Sequence, residues 1–106
     1  SLGIQIERTK ICGGGAKSPL WKKMIANILN IKVDSIESEE GPAMGGAMLA
    51  AVANGEFASV EDAAAKIVKV TETIEPEPEL VAKYEEKYRK FAKIYPTVKD
   101  LFSELL

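Results

Sequence analysis

Apolar residues recur along the chain at two spacings, one typical of strands and the other of helices. Short runs that favour strands lie at residues 4–6 and 9–12, and Ile31, Val33 and Ile36 predict a further strand despite imperfect alternation. Between these segments the apolar residues follow the helical period. They predict one apolar helix face made of Trp21, Met24, Ile25, Ile28 and Leu29.

The ends of this first helix carry residues that favour helix boundaries. Ser18 is a good N-cap, and Pro19 suits the first helical position, where its missing N–H costs no hydrogen bond. Asn30 is a suitable stop. We therefore expect a helix between residues 18 and 30.

Two more helices are predicted in the middle of the chain. One starts near Pro42 and ends at Asn54 and Gly55, and the next starts at Ser59, with Asp62 as an imperfect capping-box partner. The expected inner faces are Met44, Ala47, Met48, Ala51 and Val52 in the first, and Val60, Ala63, Ala64, Ile67 and Val68 in the second.

The last third of the chain begins with a predicted extended connector at residues 70–78, because Pro76 and Pro78 disfavour a helix there. A long helix is expected from about Glu79 to Tyr95, ended by Pro96, with a short helix at residues 98–106. On the solvent side of the long helix, ion pairs are expected at Glu79–Lys83, Glu85–Arg89 and Glu86–Lys90.

The first half therefore has the order strand–helix–strand–helix. Short connections favour two parallel, neighbouring strands. We divide the chain into a β-α-β-α unit at residues 1–56, which contains the glycine loop described below, and a helical closing segment at residues 57–106. Two strands make a poor sheet by themselves, so we expect partner strands to be missing and the exposed sheet edge to promote self-association.

Composition and charge narrow the function classes. The 106 residues suffice for one small domain, and a net charge of −2 gives no general attraction to nucleic acid or to an anionic membrane. No apolar run approaches the roughly 20 residues that a membrane span needs. Histidine is absent and Cys12 is the single cysteine, so a metal site is not expected. A single cysteine cannot form an internal disulfide, so a cytoplasmic location is expected.

Candidate chemistry centres on three consecutive glycines between a predicted strand and a predicted helix. Gly13, Gly14 and Gly15 precede Ala16 and Lys17. Glycines let backbone N–H groups approach an anion closely, and a helix start contributes about half a positive charge. The loop therefore suits a phosphate, although a tight turn that binds nothing has the same pattern.

The P-loop motif fits this segment incompletely. It requires a glycine directly before Lys17 and another five residues earlier, and the chain has Ala16 and Ile11 at those positions.

The dinucleotide-binding motif is also incomplete. It matches Gly13 and Gly15, has Ser18 in place of its third glycine, and finds Asp34 near the place of its ribose-binding acid. Half of a dinucleotide-binding oxidoreductase is therefore an open alternative.

The remaining acidic residues and the single tryptophan favour structural roles. Isolated acids and acidic runs most often cap helices or face solvent, and an aromatic residue at helical spacing most often packs. These residues are the isolated acids Asp34, Asp62 and Asp100, the acidic run Glu37, Glu39 and Glu40, and the tryptophan Trp21.

The ordered motifs resemble the C-terminal segment of the FGGY carbohydrate kinases, and within that family most closely the xylulose kinases. The first matching stretch is ICGGGAKSPLW at residues 11–21, and the second is EGPAMGGA at residues 40–47. Residues 73–76, 83–84 and 95–96 are also similar to the closing segment of the family. The likeness covers nearly the whole chain in order.

This resemblance implies an α/β fold, namely the C-terminal part of an actin-like, ribonuclease-H-like ATPase domain. Two parallel strands with packed helices and further C-terminal helices are expected, forming the last segment of the second kinase domain. The implied nucleotide-binding residues are Gly13, Gly14, Gly15, Ala16, Ser18 and Pro19, while Lys17 is expected to meet either a phosphate or solvent.

The family transfers the γ-phosphoryl group of ATP, with Mg²⁺, to a sugar hydroxyl. The resemblance implies a parent kinase that converts D-xylulose to D-xylulose 5-phosphate. Its catalytic residues, metal ligands and most sugar contacts are expected upstream, so the 106 residues alone are expected to be inactive. The alternatives are a kinase for another sugar, polyol or sugar acid, such as ribulose, glycerol or gluconate, and a non-catalytic binding or assembly module.

Overall fold

A computed structural model describes residues 3–38 and 41–105 and contains one three-stranded sheet with helices around it. Glu39, Glu40 and Leu106, which entered the expectations above, lie outside the described residues. The elements in chain order are β1 (Arg8–Ile11), α1 (Pro19–Leu29), β2 (Lys32–Ile36), α2 (Gly41–Ala53), α3 (Val60–Ile67), β3 (Val70–Ile74), α4 (Pro78–Phe91) and α5 (Ile94–Leu105), with a 3-10 turn at Gly14–Lys17 before α1.

The sheet has β2 at its centre. β1 and β2 pair in parallel, with Arg8 opposite Lys32 and Ile11 opposite Ser35, which confirms the two predicted parallel strands. β3 lies on the other side of β2 and pairs with it in the antiparallel direction. The central position of β2 explains the burial of three consecutive residues, Val33, Asp34 and Ser35.

Two strand predictions need correction. Residues 4–6 precede the sheet and form no strand. The predicted connector at residues 70–78 is a strand in its first part, since Val70–Ile74 forms β3. Pairing with β2 satisfies backbone groups that would otherwise line an open edge, and Pro76 follows once the ladder has ended. The closing half of the chain is therefore not wholly helical.

The predicted helix boundaries are largely confirmed. The Ser18 hydroxyl accepts a hydrogen bond from the Trp21 N–H at 3.3 Å, and Asn30 ends α1 in the left-handed conformation with φ 52°. The Ser59 hydroxyl accepts from the Asp62 N–H at 3.1 Å at the start of α3. Gly55, with φ 83°, follows the end of α2.

The buried face of α1 differs from the prediction. Lys22, Ala26 and Asn27 are its buried residues, whereas Trp21, Ile28 and Leu29 are about half exposed. The Lys22 ammonium donates to the Ser35 hydroxyl at 3.1 Å and to the Glu72 carboxylate at 2.6 Å, which ties α1 to β2 and β3. Burial of these polar side chains is favourable because they are hydrogen-bonded.

The predicted helix from Glu79 to Tyr95 is in fact two helices. α4 ends at Phe91 and α5 begins at Ile94, so Pro96 lies in the first turn of α5 and does not end a helix. Proline is tolerated there because the first N–H groups of a helix have no intrahelical partner. The ion pairs Glu85–Arg89 and Glu86–Lys90 are confirmed, at 3.0 and 2.7 Å.

The helices in the described part of the chain are all too short or too polar to cross a bilayer.

Candidate functional site

The glycine loop lies at the carboxyl end of β1, where it turns the chain into α1. Three backbone hydrogen bonds define it: the Ala16 N–H donates to the Gly13 carbonyl at 3.0 Å, the Ser18 N–H to Gly15 at 3.2 Å, and the Lys22 N–H to Ser18 at 3.1 Å. Loops at the carboxyl ends of parallel strands are the usual ligand sites of open α/β sheets. The loop is therefore well placed to hold a ligand.

The three glycines of the loop differ in what their positions demand. Gly13 has φ 82° and ψ −174°, a conformation essentially limited to glycine. At Gly14 the φ angle is outside the left-handed region, and an added Cβ would meet nothing within 4 Å. At Gly15 an added Cβ would lie 2.9 Å from the Trp21 indole. Space for a ligand is thus open beside Gly13 and Gly14.

The start of α2 lies directly beside the start of the glycine loop. A Cβ added at Gly41 would be 2.7 Å from the Cys12 sulfur, so a larger residue there would force the Cys12 side chain to move. The stretch at residues 11–21 therefore meets the start of the stretch at residues 41–47 where Cys12 follows β1. The start of α2 beside the glycine loop favours a negatively charged ligand.

The other predicted site residues also lie in this loop. Ala16 is half-buried within the 3-10 turn, and Lys17 is its last residue and is exposed. Ser18 caps α1, and Pro19 is the exposed first residue of that helix. The structure thus brings the residues at 13–19 together on one surface, as their sequence proximity predicts.

The Asp34 carboxylate is buried and already bound on both oxygens, which argues against the dinucleotide alternative. Its side chain is 1% exposed in the middle of the sheet. One oxygen pairs with the Arg8 guanidinium at 3.2 Å, and the other accepts from the Thr73 hydroxyl at 2.7 Å. A carboxylate held in this way cannot receive the hydroxyls of a ribose.

Of the other acids, Glu37 pairs through its carboxylate with Lys69 at 3.6 Å. Asp62 and Asp100 contribute backbone groups: the Asp62 N–H donates to the Ser59 hydroxyl, and the Asp100 carbonyl accepts from the Ser103 hydroxyl. Within residues 3–38 and 41–105, no three His, Cys, Asp or Glu side chains are grouped so that they could hold a metal ion. The chemistry available at the glycine loop is therefore hydrogen-bond donation to an anion from its backbone N–H groups.

Sequence reasoning missed the polar network beneath α1. Asn27 is fully buried; its amide donates to the Lys23 carbonyl, and its oxygen accepts from the Glu77 N–H, both at 2.7 Å. These contacts, together with those of Lys22, hold the helix that follows the glycine loop. The sequence pattern carried no signal for this network, because Lys22 and Asn27 lie outside the predicted apolar face, where polar residues usually meet solvent.

At the opposite end of the sheet, Lys32 and Glu75 form an ion pair of 2.9 Å. The hydrogen bond from Lys32 and then its positive charge lower the pKa of the Glu75 carboxyl below its ordinary value. This pair lies at the amino end of β2, so it does not contribute to the glycine-loop site.

Residues 1–54 match the C-terminal domain of the FGGY family of carbohydrate kinases. The chain is 40% identical over 104 residues to a xylulose kinase of Staphylococcus epidermidis, covering 98% of this chain and 21% of that protein. It is 36% identical over 99 residues to a ribulokinase of Geobacillus thermodenitrificans, covering 88% and 18%. The chain thus spans about a fifth of the length of these relatives.

Among solved structures, the ligand-bound xylulose kinase of Lactobacillus acidophilus superposes with a TM-score of 0.83 at 17% identity, covering 93% of this chain and 20% of that one. This likeness confirms the predicted fold class, part of an actin-like ATPase domain with a small sheet and packed helices.

Proposed function

The chain belongs to the FGGY family of carbohydrate kinases, and on that premise we propose that it forms one wall of the ATP site of a longer sugar kinase. The observation that carries the proposal is the loop at residues 13–18, which leaves open space at Gly13 and Gly14 beside the start of α2. D-xylulose is the proposed substrate because a xylulose kinase is 40% identical over nearly the whole chain.

The proposed role of the loop is to bind and orient the nucleotide. The backbone N–H groups of Gly13, Gly14 and Gly15 donate to phosphate oxygens, and the helix starts add favourable potential. When bound, ATP supplies the phosphoryl group that is transferred to the sugar. Phosphoryl transfer depends mainly on positioning and charge stabilisation, so a rigid wall of donors contributes directly to the rate.

The side chains after the glycines have a second proposed role. Ala16, Ser18 and Pro19 border the nucleoside, and the exposed Lys17 contacts a phosphate. The described residues do not fit a Mg²⁺ site, because the acids Asp34 and Glu37 are engaged by cations and no acidic cluster faces the loop in the described segments. Ligands for Mg²⁺ are therefore assigned to the parts of the kinase outside this chain.

We also propose that residues 1–56 carry the nucleotide loop and residues 57–106 close the domain, with β3 completing the sheet. A cytoplasmic location is proposed because a lone cysteine gives the chain no internal disulfide.

The deciding experiment measures ADP release by the full-length protein with ATP, Mg²⁺ and a panel of D-xylulose, ribulose, gluconate and glycerol. We expect the highest kcat/KM with D-xylulose. A higher kcat/KM with another member of the panel would support the kinase assignment and contradict D-xylulose as the substrate. Lack of turnover with every sugar, polyol and sugar acid would contradict the proposal.

The alternative function is a non-catalytic assembly module, in which the glycine loop is only a turn. The exposed apolar side chains of α1 and α4 are the observation that favours it. Calorimetric titration of the full-length protein with a non-hydrolysable ATP analogue separates the two functions. A kinase binds the analogue saturably, whereas an assembly module does not.

A further inference from the structure

The indole of Trp21 lies against the glycine loop at Gly15. Atoms Cδ1 and Nε1 of its indole would each be 2.9 Å from a Cβ added at Gly15, a separation that real Cβ atoms essentially never show. No comparable neighbour surrounds Gly13 or Gly14, where an added Cβ meets nothing within 4 Å. The indole therefore covers one side of the loop and leaves the other side open.

Local helix geometry explains this position. Trp21 is the third residue of α1, and side chains on a helix lean toward its amino terminus. The indole is thus directed over the turn that precedes α1. The backbone supports the contact, because the Trp21 N–H is fixed on the Ser18 hydroxyl and the Ser18 N–H is fixed on the Gly15 carbonyl.

We propose that Trp21 is a positioning residue that holds the glycine loop in its binding conformation. Consecutive glycines lose more backbone freedom on ordering than other residues, so an unsupported loop would bind its ligand more weakly. The indole restricts Gly15 before the ligand arrives and keeps the open side at Gly13 and Gly14 for the phosphates. This inference rests on the proposed function, because it takes ATP as the ligand.

The proposal makes a selective prediction about kinetics in the full-length protein. Trp21→Ala is expected to raise the KM for ATP about tenfold, the effect of roughly 1.4 kcal/mol of lost binding, while the KM for the sugar stays unchanged. The matched control is Leu20→Ala, which removes an exposed apolar side chain from the same turn of α1 and should leave both constants unchanged.

A double-mutant cycle identifies the contact itself. Gly15→Ala should also weaken ATP binding about tenfold, because the new methyl group displaces the indole. If the two residues act through one contact, Gly15→Ala should have little further effect in the Trp21→Ala background. Calorimetric Kd values for ADP, measured on all four proteins, give the coupling independently of turnover.

Three results would overturn the proposal. Full multiplication of the two single effects would mean that Trp21 and Gly15 act separately. Undiminished ATP binding by Trp21→Ala would remove the positioning role and leave the kinase proposal intact. Failure of the unaltered protein to bind ATP or ADP would contradict the proposed function first, and this role with it.

Discussion

At the scale of single residues, the fold gives a physical reason for glycine at two of the three loop positions and none at Gly14. Gly13 needs its positive φ, and Gly15 needs space for the Trp21 indole. Gly14 has neither constraint. A requirement for glycine at position 14 would therefore point to a ligand that approaches the backbone.

We predict that Gly14→Ala weakens ADP binding by the full-length protein at least about tenfold, because the methyl group occupies space on the proposed phosphate side. Its thermal midpoint should stay close to that of the unaltered protein. Gly13→Ala is the contrasting variant, since its backbone strain should cost about 1–3 kcal/mol of stability. Calorimetry and thermal melting measure the two properties, and unchanged affinity in Gly14→Ala would place the phosphate elsewhere.

A second prediction at this scale concerns the carboxyl of Glu75. Because Lys32 lowers its pKa in the folded state, the ion pair stabilises the fold above the unfolded-state pKa, and this contribution is lost as the pH falls through the folded-state pKa. Lys32→Gln should raise the pKa of Glu75 toward its ordinary value, as measured by carbon NMR of the carboxyl group.

The matched control for that titration is Lys69→Gln, which breaks the pair with Glu37 instead. It should leave the Glu75 titration unchanged. Both partners of the Lys32–Glu75 pair are about half exposed or more, so added salt should reduce the shift. A Glu75 pKa that is insensitive to Lys32→Gln would contradict the assigned cause.

At the scale of elements, Asn27 connects α1 to the start of α4 and thereby holds the helix that follows the glycine loop. We predict that Asn27→Ala destabilises the protein by about 1–3 kcal/mol, because it removes a fully buried side chain and leaves the Glu77 N–H without its acceptor. Denaturant unfolding measures the loss, and faster hydrogen exchange at the Glu77 amide locates it. Asn54→Ala makes the same change at an exposed position and should stay within about 0.5 kcal/mol.

The elements that the sequence predicts well are those with local causes. Ser18 and Asn30 bound α1 through contacts within the adjacent turn, and the glycine loop follows from its place between a strand and that cap. The sequence predicts an extended connector in place of β3, because Pro76 and Pro78 follow it and its partner strand lies far away in the chain, although the β-branched residues of Val70–Ile74 favour a strand. Strand pairing of this kind is set by the neighbouring edge and not by local preference.

The face of α1 was predicted wrongly for a related reason. Periodicity assigns burial to the apolar residues, yet Lys22 and Asn27 are buried because β2, β3 and the segment before α4 supply their partners. The contact of Trp21 with Gly15 was equally inaccessible, since it depends on how a side chain leans over the preceding turn. The placement of residues 13–19 in the turn between β1 and α1 was predictable, but the contact that Trp21 makes with one of them was not.

At the scale of the whole molecule, the chain is much more extended than a compact domain. Its radius of gyration is 18.8 Å, against about 13 Å for a compact chain of this length. The fully buried apolar residues in the described segments are Ala26, Val33 and Ala63, which is a small core. Large apolar side chains remain exposed on α1, α4 and α5, including Leu29, Phe91, Leu101 and Leu105.

A groove of about 380 Å³ between α1 and α4 is part of this uncovered surface; its lining residues are Ile28, Tyr84, Lys87, Tyr88 and Phe91. Contiguous apolar surface of this kind is rarely left in water by a monomeric soluble protein. In the proposed kinase, we expect the remaining parts of the domain to cover it. When the chain is produced alone, this apolar surface is exposed to water, which is unfavourable.

We therefore predict that the 106-residue chain by itself self-associates or folds loosely and shows no measurable phosphorylation of D-xylulose. Both outcomes are expected for one reason: in the proposed kinase, the partner strands and the catalytic residues belong to parts of the protein outside this chain. Light scattering and binding of an apolar dye should report the association, and the full-length protein at equal concentration is the control. A compact, stable monomer would show that the small core suffices, and turnover by that monomer would show that one wall of the site is enough.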